Sequence, residues 1–192
     1  LEGGSLTLHT NLWDCTQVYL PPANGGNFDV SLSKSLSRAA TVFFSFSEEI
    51  DAADILTGTM YCNTFWSVAG AAETIESWVT VGSTKYPEYA VTGSTAHFWR
   101  LINALGIAKS LPHSVNVDLD SYNTHSFTIA TDLESCPLIS WSGVNTTGGQ
   151  EIALHVKKMS DNAGINVPRH CWAAIHYEAI IELRATCAHL LT

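Results

Sequence analysis

The stretch "HCWAAIHYEAIIELRATCAHLL" near the C-terminal end holds three histidines, two cysteines and two glutamates within 22 residues. Those residue types support two chemistries. One is a zinc site, which needs three or four Cys or His ligands converging tetrahedrally. The other is a cysteine nucleophile with a histidine base. Spacing weighs against both. On a strand, His170 and His176 share a face but lie about 20 Å apart. One metal cannot take both without a partner strand for each. Cys171 follows His170 directly, so on a strand it points to the opposite side, into an apolar set where a free thiol acts as a small hydrophobe.

Other catalytic signatures are absent from the sequence. There is no GxSxG elbow, and neither phosphate-loop nor dinucleotide glycine pattern occurs. Asp118, Asp120, Asp132 and Glu134 lie near expected strand ends. They could pair for glycosidase chemistry or hold calcium at a loop, but alternating carboxylates on an exposed strand face are more often simply solvated. Asn145 opens an Asn-Thr-Thr sequon, which matters only on a secretory route. No cofactor is expected.

The elements that would position these residues read mostly as strands. Within the opening stretch, Cys171, Ala173, Ile175, Tyr177, Ala179, Ile181 and Leu183 form an apolar set. His170, Trp172, Ala174, His176, Glu178, Ile180 and Glu182 carry the polar groups. Period-two alternation of that length predicts a long half-buried strand. "QEIALHVKK", "SVNVDLDSY", "HSFTIATDL" and "NFDVSLSKSL" alternate likewise, and "TVFFSFS" and "ESWVTVGS" are β-branched and aromatic. Turn residues separate them in "PPANGG", "VGSTKYP", "DSYN", "VNTTGGQ" and "SDNAGINVP". One helix is predicted in "TGSTAHFWRLINALGIAKS": Phe98, Leu101, Ile102 and Leu105 recur at helical spacing, Ser94 or Thr95 serves as N-cap, and Gly106 ends it. A weaker helical pattern lies in "DAADILTGTMYC". Eight or nine short strands with polar turns predict an all-β fold. We read an eight-stranded antiparallel β-sandwich of the jelly-roll type, with one or two short helices in the loops and residues 1–192 as a single domain.

Composition narrows the function. Of the 192 residues, 46% are hydrophobic and only 14% charged, against about 25% charged in an ordinary soluble domain. Surface so poor in charge suits burial against neighbouring subunits, and a sugar-binding or secreted domain would look similar. The net charge of -9, with nine scattered basic residues densest at Lys157 and Lys158, argues against direct nucleic-acid binding. The five cysteines are widely spaced with no CxxC, which predicts reduced, buried thiols, not a disulfide framework. There is no 18-residue apolar run and hence no expected membrane helix. No signal-peptide pattern is visible, but the sequence begins at Leu1, so missing targeting signals carry little weight.

Three blocks carry a family resemblance: "FDVSLSKSLSRAATVFFSF", "VGSTKYPEYAVTGSTAHFWRLINALG", and "HSFTIATDLESCPLISWSGVNTTGGQEIALHVKK" leading into "HYEAIIELR". In order, hydrophobicity and turns they resemble viral capsid jelly rolls, in particular those of icosahedral viruses of eukaryotic microbes. The match is to a single jelly-roll coat protein or to one half of a double jelly-roll major capsid protein. Two departures stand out. No basic N-terminal arm is present, and a double jelly roll would be about twice as long. The resemblance implies a non-enzymatic coat protein in the virion. It would assemble through jelly-roll edges and loops with copies of itself and with other capsid subunits. A divalent cation held by carboxylates between subunits is implied by the resemblance alone. Trp172, His170, His176 and Glu178, on the polar face of the long strand, are the candidate interface residues. The alternatives on the same fold are a carbohydrate-binding, lectin-like sandwich using calcium, and a cupin-like or glycosidase enzyme.

Overall fold

The computed structural model describes residues 6–20, 26–47, 75–106, 118–134, 143–159, 168–184 and 187–191. Among the described residues are nine strands: β1 (Leu6–Tyr19), β2 (Phe28–Leu32), β3 (Ala39–Ser47), β4 (Glu76–Val81), β5 (Thr84–Thr92), β6 (Thr128–Asp132), β7 (Ile152–Lys157), β8 (His170–Arg184) and β9 (Cys187–Leu191). Two helices among the described residues, α1 (Ser94–Ala104) and α2 (Leu119–His125), lie between β5 and β6. The weak helical pattern in "DAADILTGTMYC" falls outside the described residues.

Strand pairing identifies the fold. β1 pairs with β8, β2 with β7, β3 with β6 and β4 with β5, all antiparallel. The chain is thus one long antiparallel ribbon folded over on itself. Pairing of β3 with β8 and of β4 with β7 joins the ribbon into two sheets, ordered β1-β8-β3-β6 and β2-β7-β4-β5. That is the jelly-roll arrangement of two facing Greek-key sheets. β9 pairs with β8 at Ile180–Arg184, beyond the reach of β3, which stops at Tyr177. It extends the first sheet without altering its order.

Alternation explains why these segments are strands. The buried set from β8 (Cys171, Ala173, Ile175, Tyr177, Ala179) faces Val30 and Leu32 of β2, Val79 and Val81 of β4, and Ile152, Leu154 and Val156 of β7. Phe44 and Phe46 of β3 fill the middle, with Phe46 edge-on to Phe28 of the other sheet at 5.7 Å. Each large side chain buried there contributes about 1.5–3 kcal/mol.

Three local features depart from the sequence pattern. β1 carries Asp14 on its inward side and Trp13 and Tyr19 on its outward side, which blurs its alternation; Asp14 is accommodated by an ion pair with Lys34 at 2.9 Å. The alternation in "SVNVDLDSY" predicts a strand, but its described part becomes α2. Asp118 Oδ1 accepts the Ser121 N–H at 2.7 Å and caps that helix, satisfying a donor that a strand would have left to a neighbour. The Tyr86–Pro87 step, expected in a turn, sits as a cis peptide within β5, an edge strand where proline is tolerated. The hairpin turn itself is Gly82-Ser83, with Gly82 at φ 58. α1 forms as predicted and ends at Gly106 (φ 70), although its N-cap is Gly93, ahead of the expected Ser94 or Thr95, and no side chain caps it.

Candidate functional site

The outer face of β1-β8-β3-β6 holds the four candidate interface residues. Register places them in rows across the sheet: Tyr19–His170–Ser47, Gln17–Trp172–Ser45, Cys15–Ala174–Phe43 and Trp13–His176–Thr41. Trp13, Tyr19 and Trp172 are 55%, 53% and 49% exposed, so three large aromatic side chains stand on one sheet face with their surface open. Ala174 is short, and the floor between the Trp13 and Trp172 rows dips into an apolar depression of about 240 Å³. Cys15, Gln17, Phe43, Ser45 and Trp172 line it.

Neighbours hold these aromatic groups in place. Trp13 lies 4.9 Å from the His176 ring and 5.6 Å from Phe43. His170 meets Tyr19 edge-on at 5.3 Å and its Nδ1 is 3.0 Å from Gln17 Nε2. Arg169 donates to the Tyr19 hydroxyl at 2.8 Å and lies over its ring. Such fixing lowers the entropy lost when a partner covers the face.

Charge gathers at the other end of this face. Burial, then the carboxylates of Asp132 and Glu178, raise the Glu134 pKa. Glu178 Oε2 is buried with no hydrogen-bond partner. Burial lowers the His176 pKa, against the opposing pull of Glu178. No three His, Cys, Asp or Glu side chains among the described residues converge to hold a metal.

The cysteines divide. Cys171 is buried, and desolvation pushes its thiol up to about 12, far from a nucleophile's range. Cys15 is exposed, which corrects the expectation of buried thiols throughout. Cys62 and Cys136 lie outside the described residues.

Two histidine sites escape a reading of alternation alone. His97 of α1 is 1% exposed. Its Nδ1 is 2.6 Å from the Gly93 carbonyl and its Nε2 2.7 Å from Ser77 Oγ on β4. A carbonyl only accepts, so Nδ1 carries the proton and Nε2 accepts from the serine. On the outer face of β2-β7-β4-β5, His155 Nδ1 lies 2.6 Å from Asp29 Oδ1 and its Nε2 3.1 Å from Thr80 Oγ1. That chain has the connectivity of a hydrolytic triad. However, Asp29 is 70% exposed on its side chain, and β4 and β7 are inner strands whose backbone N–H groups serve the ladder. Those N–H groups are therefore not available as the backbone donors of an oxyanion hole.

No family model and no curated protein sequence matches the chain. Solved virus structures do. The match to PBCV-1 VP54, as fitted into a cryo-EM reconstruction of the virophage Sputnik, has a TM-score of 0.52 and 8% identity, over 98% of this chain and 51% of that one. A quasi-atomic model of the PBCV-1 virus capsid gives 0.52 and 9% identity, again over 98% and 51%. The cryo-EM structure of the Sputnik virophage gives 0.51 and 8%, over 97% and 39%. The chain therefore spans about half the length of the first two structures and less of the third. At such identity the likeness is one of fold: this chain is a jelly roll similar to those of viral capsid structures.

Proposed function

We propose that this chain is a structural capsid subunit, a single jelly-roll domain that packs with copies of itself and with other capsid subunits into an icosahedral virus shell. Its work is association, not turnover, and its place is the virion. The observation that carries this is the exposed aromatic face of β1-β8-β3-β6, on a fold shared over 98% of the chain with a virus capsid model. Contiguous exposed aromatic surface marks an interaction site, and Trp and Tyr are the residues that dominate such contacts. In this reading Trp172 is the anchor. His170 and His176 brace the surrounding rings, and Glu178 lies beside His176 on the same face. A divalent cation held by carboxylates between subunits would tie neighbours together, and chelation would then weaken the assembly. The genome is neutralised elsewhere, since this chain's charge of -9 repels it.

Assembly state tests the proposal. Light scattering behind size exclusion, together with electron microscopy, is expected to show closed oligomers or particles. Trp172→Asp should return them to monomers with the fold intact. A monomer at every concentration, with and without other capsid subunits, would overturn it.

A further inference from the structure

Among the described residues, β1 pairs with β8 along its whole length on one side and with no strand on the other. An open edge offers unpaired N–H and C=O groups to any other strand, and proteins blunt such edges with short strands, proline, bulges or charge. The other described edges follow that rule. β2, β6 and β9 have five residues each. β5 carries Pro87, and its register with β4 breaks between Ser77 and Val79. β1 instead runs for 14 residues, LTLHTNLWDCTQVY, without proline, glycine, lysine or arginine. Its one carboxylate, Asp14, is already paired with Lys34 at 2.9 Å.

Apolar surface accompanies the open edge. Leu6 and Leu8 pair with Leu183 and Ile181, beyond the reach of β3. They lie on the side of the sheet that faces the core elsewhere, yet are 52% and 43% exposed. Trp13 and Tyr19 stand exposed on the opposite side. A strand added at this edge would set cross-strand neighbours against the leucines on one face and the aromatic rings on the other.

We propose that the added strand is β1 of a second copy, paired antiparallel across a two-fold axis; this rests on the reading that the chain assembles with copies of itself, and names the edge by which it does so. A two-fold contact uses the same edge on both copies and leaves neither open. No other edge among the described residues matches β1 in length. Residues directly opposite share a face, so a one-residue slip would turn the leucines outwards. Asp14 then selects the register. An axis centred on Asn11, Trp13 or Asp14 sets Asp14 against Leu8, Leu12 or Asp14 of the second copy. An axis centred on Leu12 sets it against Thr10, whose hydroxyl can donate to the carboxylate, and sets Leu6 against Val18. Two strands alone pair only marginally. The edge contact therefore forms where the aromatic face is also covered, and Trp172→Asp removes both.

Disulfide trapping in the assembled protein tests this. In the proposed register His9 lies opposite Cys15 of the second copy, where Cα atoms about 4.5–5.5 Å apart are within disulfide reach. Mild oxidation of His9→Cys should give covalent dimers, with peptide mapping placing the link between position 9 and Cys15. The parent and Gln17→Cys should stay unlinked at Cys15, since the register keeps those sulfurs about 20 Å or more apart. Leu8→Lys puts a charge beneath the added strand at an exposed position. It should raise the concentration needed for assembly roughly tenfold, with thermal melting showing the chain still folded. Assembly without the link from position 9 to Cys15, a Cys15–Cys15 link in the parent, or assembly of Leu8→Lys at the parent's concentration overturns the edge pairing and leaves the capsid reading standing. A chain that stays monomeric throughout overturns both.

Discussion

His97 should make the protein lose stability over a defined acid window. Burial, the first cause, lowers its pKa from 6.5 to about 4; the hydrogen bond to Gly93 opposes this, and the Arg100 charge adds to it. In the folded chain the imidazole stays neutral because burial disfavours its charged form. In the unfolded chain it takes up a proton near pH 6.5. Between those two values the unfolded state binds one proton more, so stability falls as pH falls. The contribution is fully present above pH 6.5 and is exhausted near pH 4. At 1.36 kcal/mol per pH unit, the separation corresponds to about 3 kcal/mol. For a chain of this length that is a drop in melting temperature of roughly 6–12 °C. Urea unfolding of the parent and of His97→Gln at intervals from pH 7.5 to 4 measures it. Other groups titrate in both proteins, so the difference in slope isolates His97. Where His97→Gln folds poorly, the imidazole resonance of the parent in NMR reads the same quantity directly. A His97 titrating near 6.5 in the folded protein, or parallel slopes for the two proteins, would refute the argument.

Three further outcomes follow from the same geometry. Trp172→Ala should lower unfolding free energy by about 2 kcal/mol, because half of the ring is already buried, yet leave the chain folded and abolish assembly on light scattering. Iodoacetamide with mass-spectrometric mapping should label Cys15 in the folded protein and Cys171 only after denaturant is added, in keeping with the raised Cys171 pKa; early labelling of Cys171 would refute its burial. Burial and then Asp132 disfavour Glu134 ionisation ahead of Glu178, so Glu178→Gln should raise the melting temperature at pH 7 by only about 1 °C. The gain should shrink at acid pH, where Glu134 is already protonated, and differential scanning calorimetry at the two pH values would show either pattern.

Period-two alternation found β2, β6, β7 and β8, and β-branched and aromatic content found β3 and β4; β2, β7 and β8 show the alternation most plainly because each has one face in the core and one towards solvent. It failed for β1 for a physical reason. An edge strand bearing Trp13 and Tyr19 outwards and Asp14 inwards has no clean apolar side; its regularity becomes visible only when Lys34 is brought to Asp14 and His176 to Trp13. α2 was misread because three alternating residues are too few to outweigh an Asp cap. The same alternation placed Cys171 in the core and Trp172, His170, His176 and Glu178 on the opposite face, which is where they lie.

What alternation cannot supply is the identity of the neighbours across the sheet. Asp29 and His155 are 126 residues apart, and His97 finds Ser77 across 20. Both contacts depend on a ribbon folded so that β2 lies beside β7 and α1 packs back towards β4. The density of His, Cys and Glu in "HCWAAIHYEAIIELRATCAHLL" therefore pointed to the wrong kind of site. Residues close in sequence on one strand are split between faces or spread along it. The polar constellations around His97 and His155 draw Ser77, Asp29 and Thr80 from distant parts of the sequence. In a sandwich of antiparallel strands, local clustering of reactive types mostly describes one strand's two surfaces, while chemistry and recognition are built across the rows.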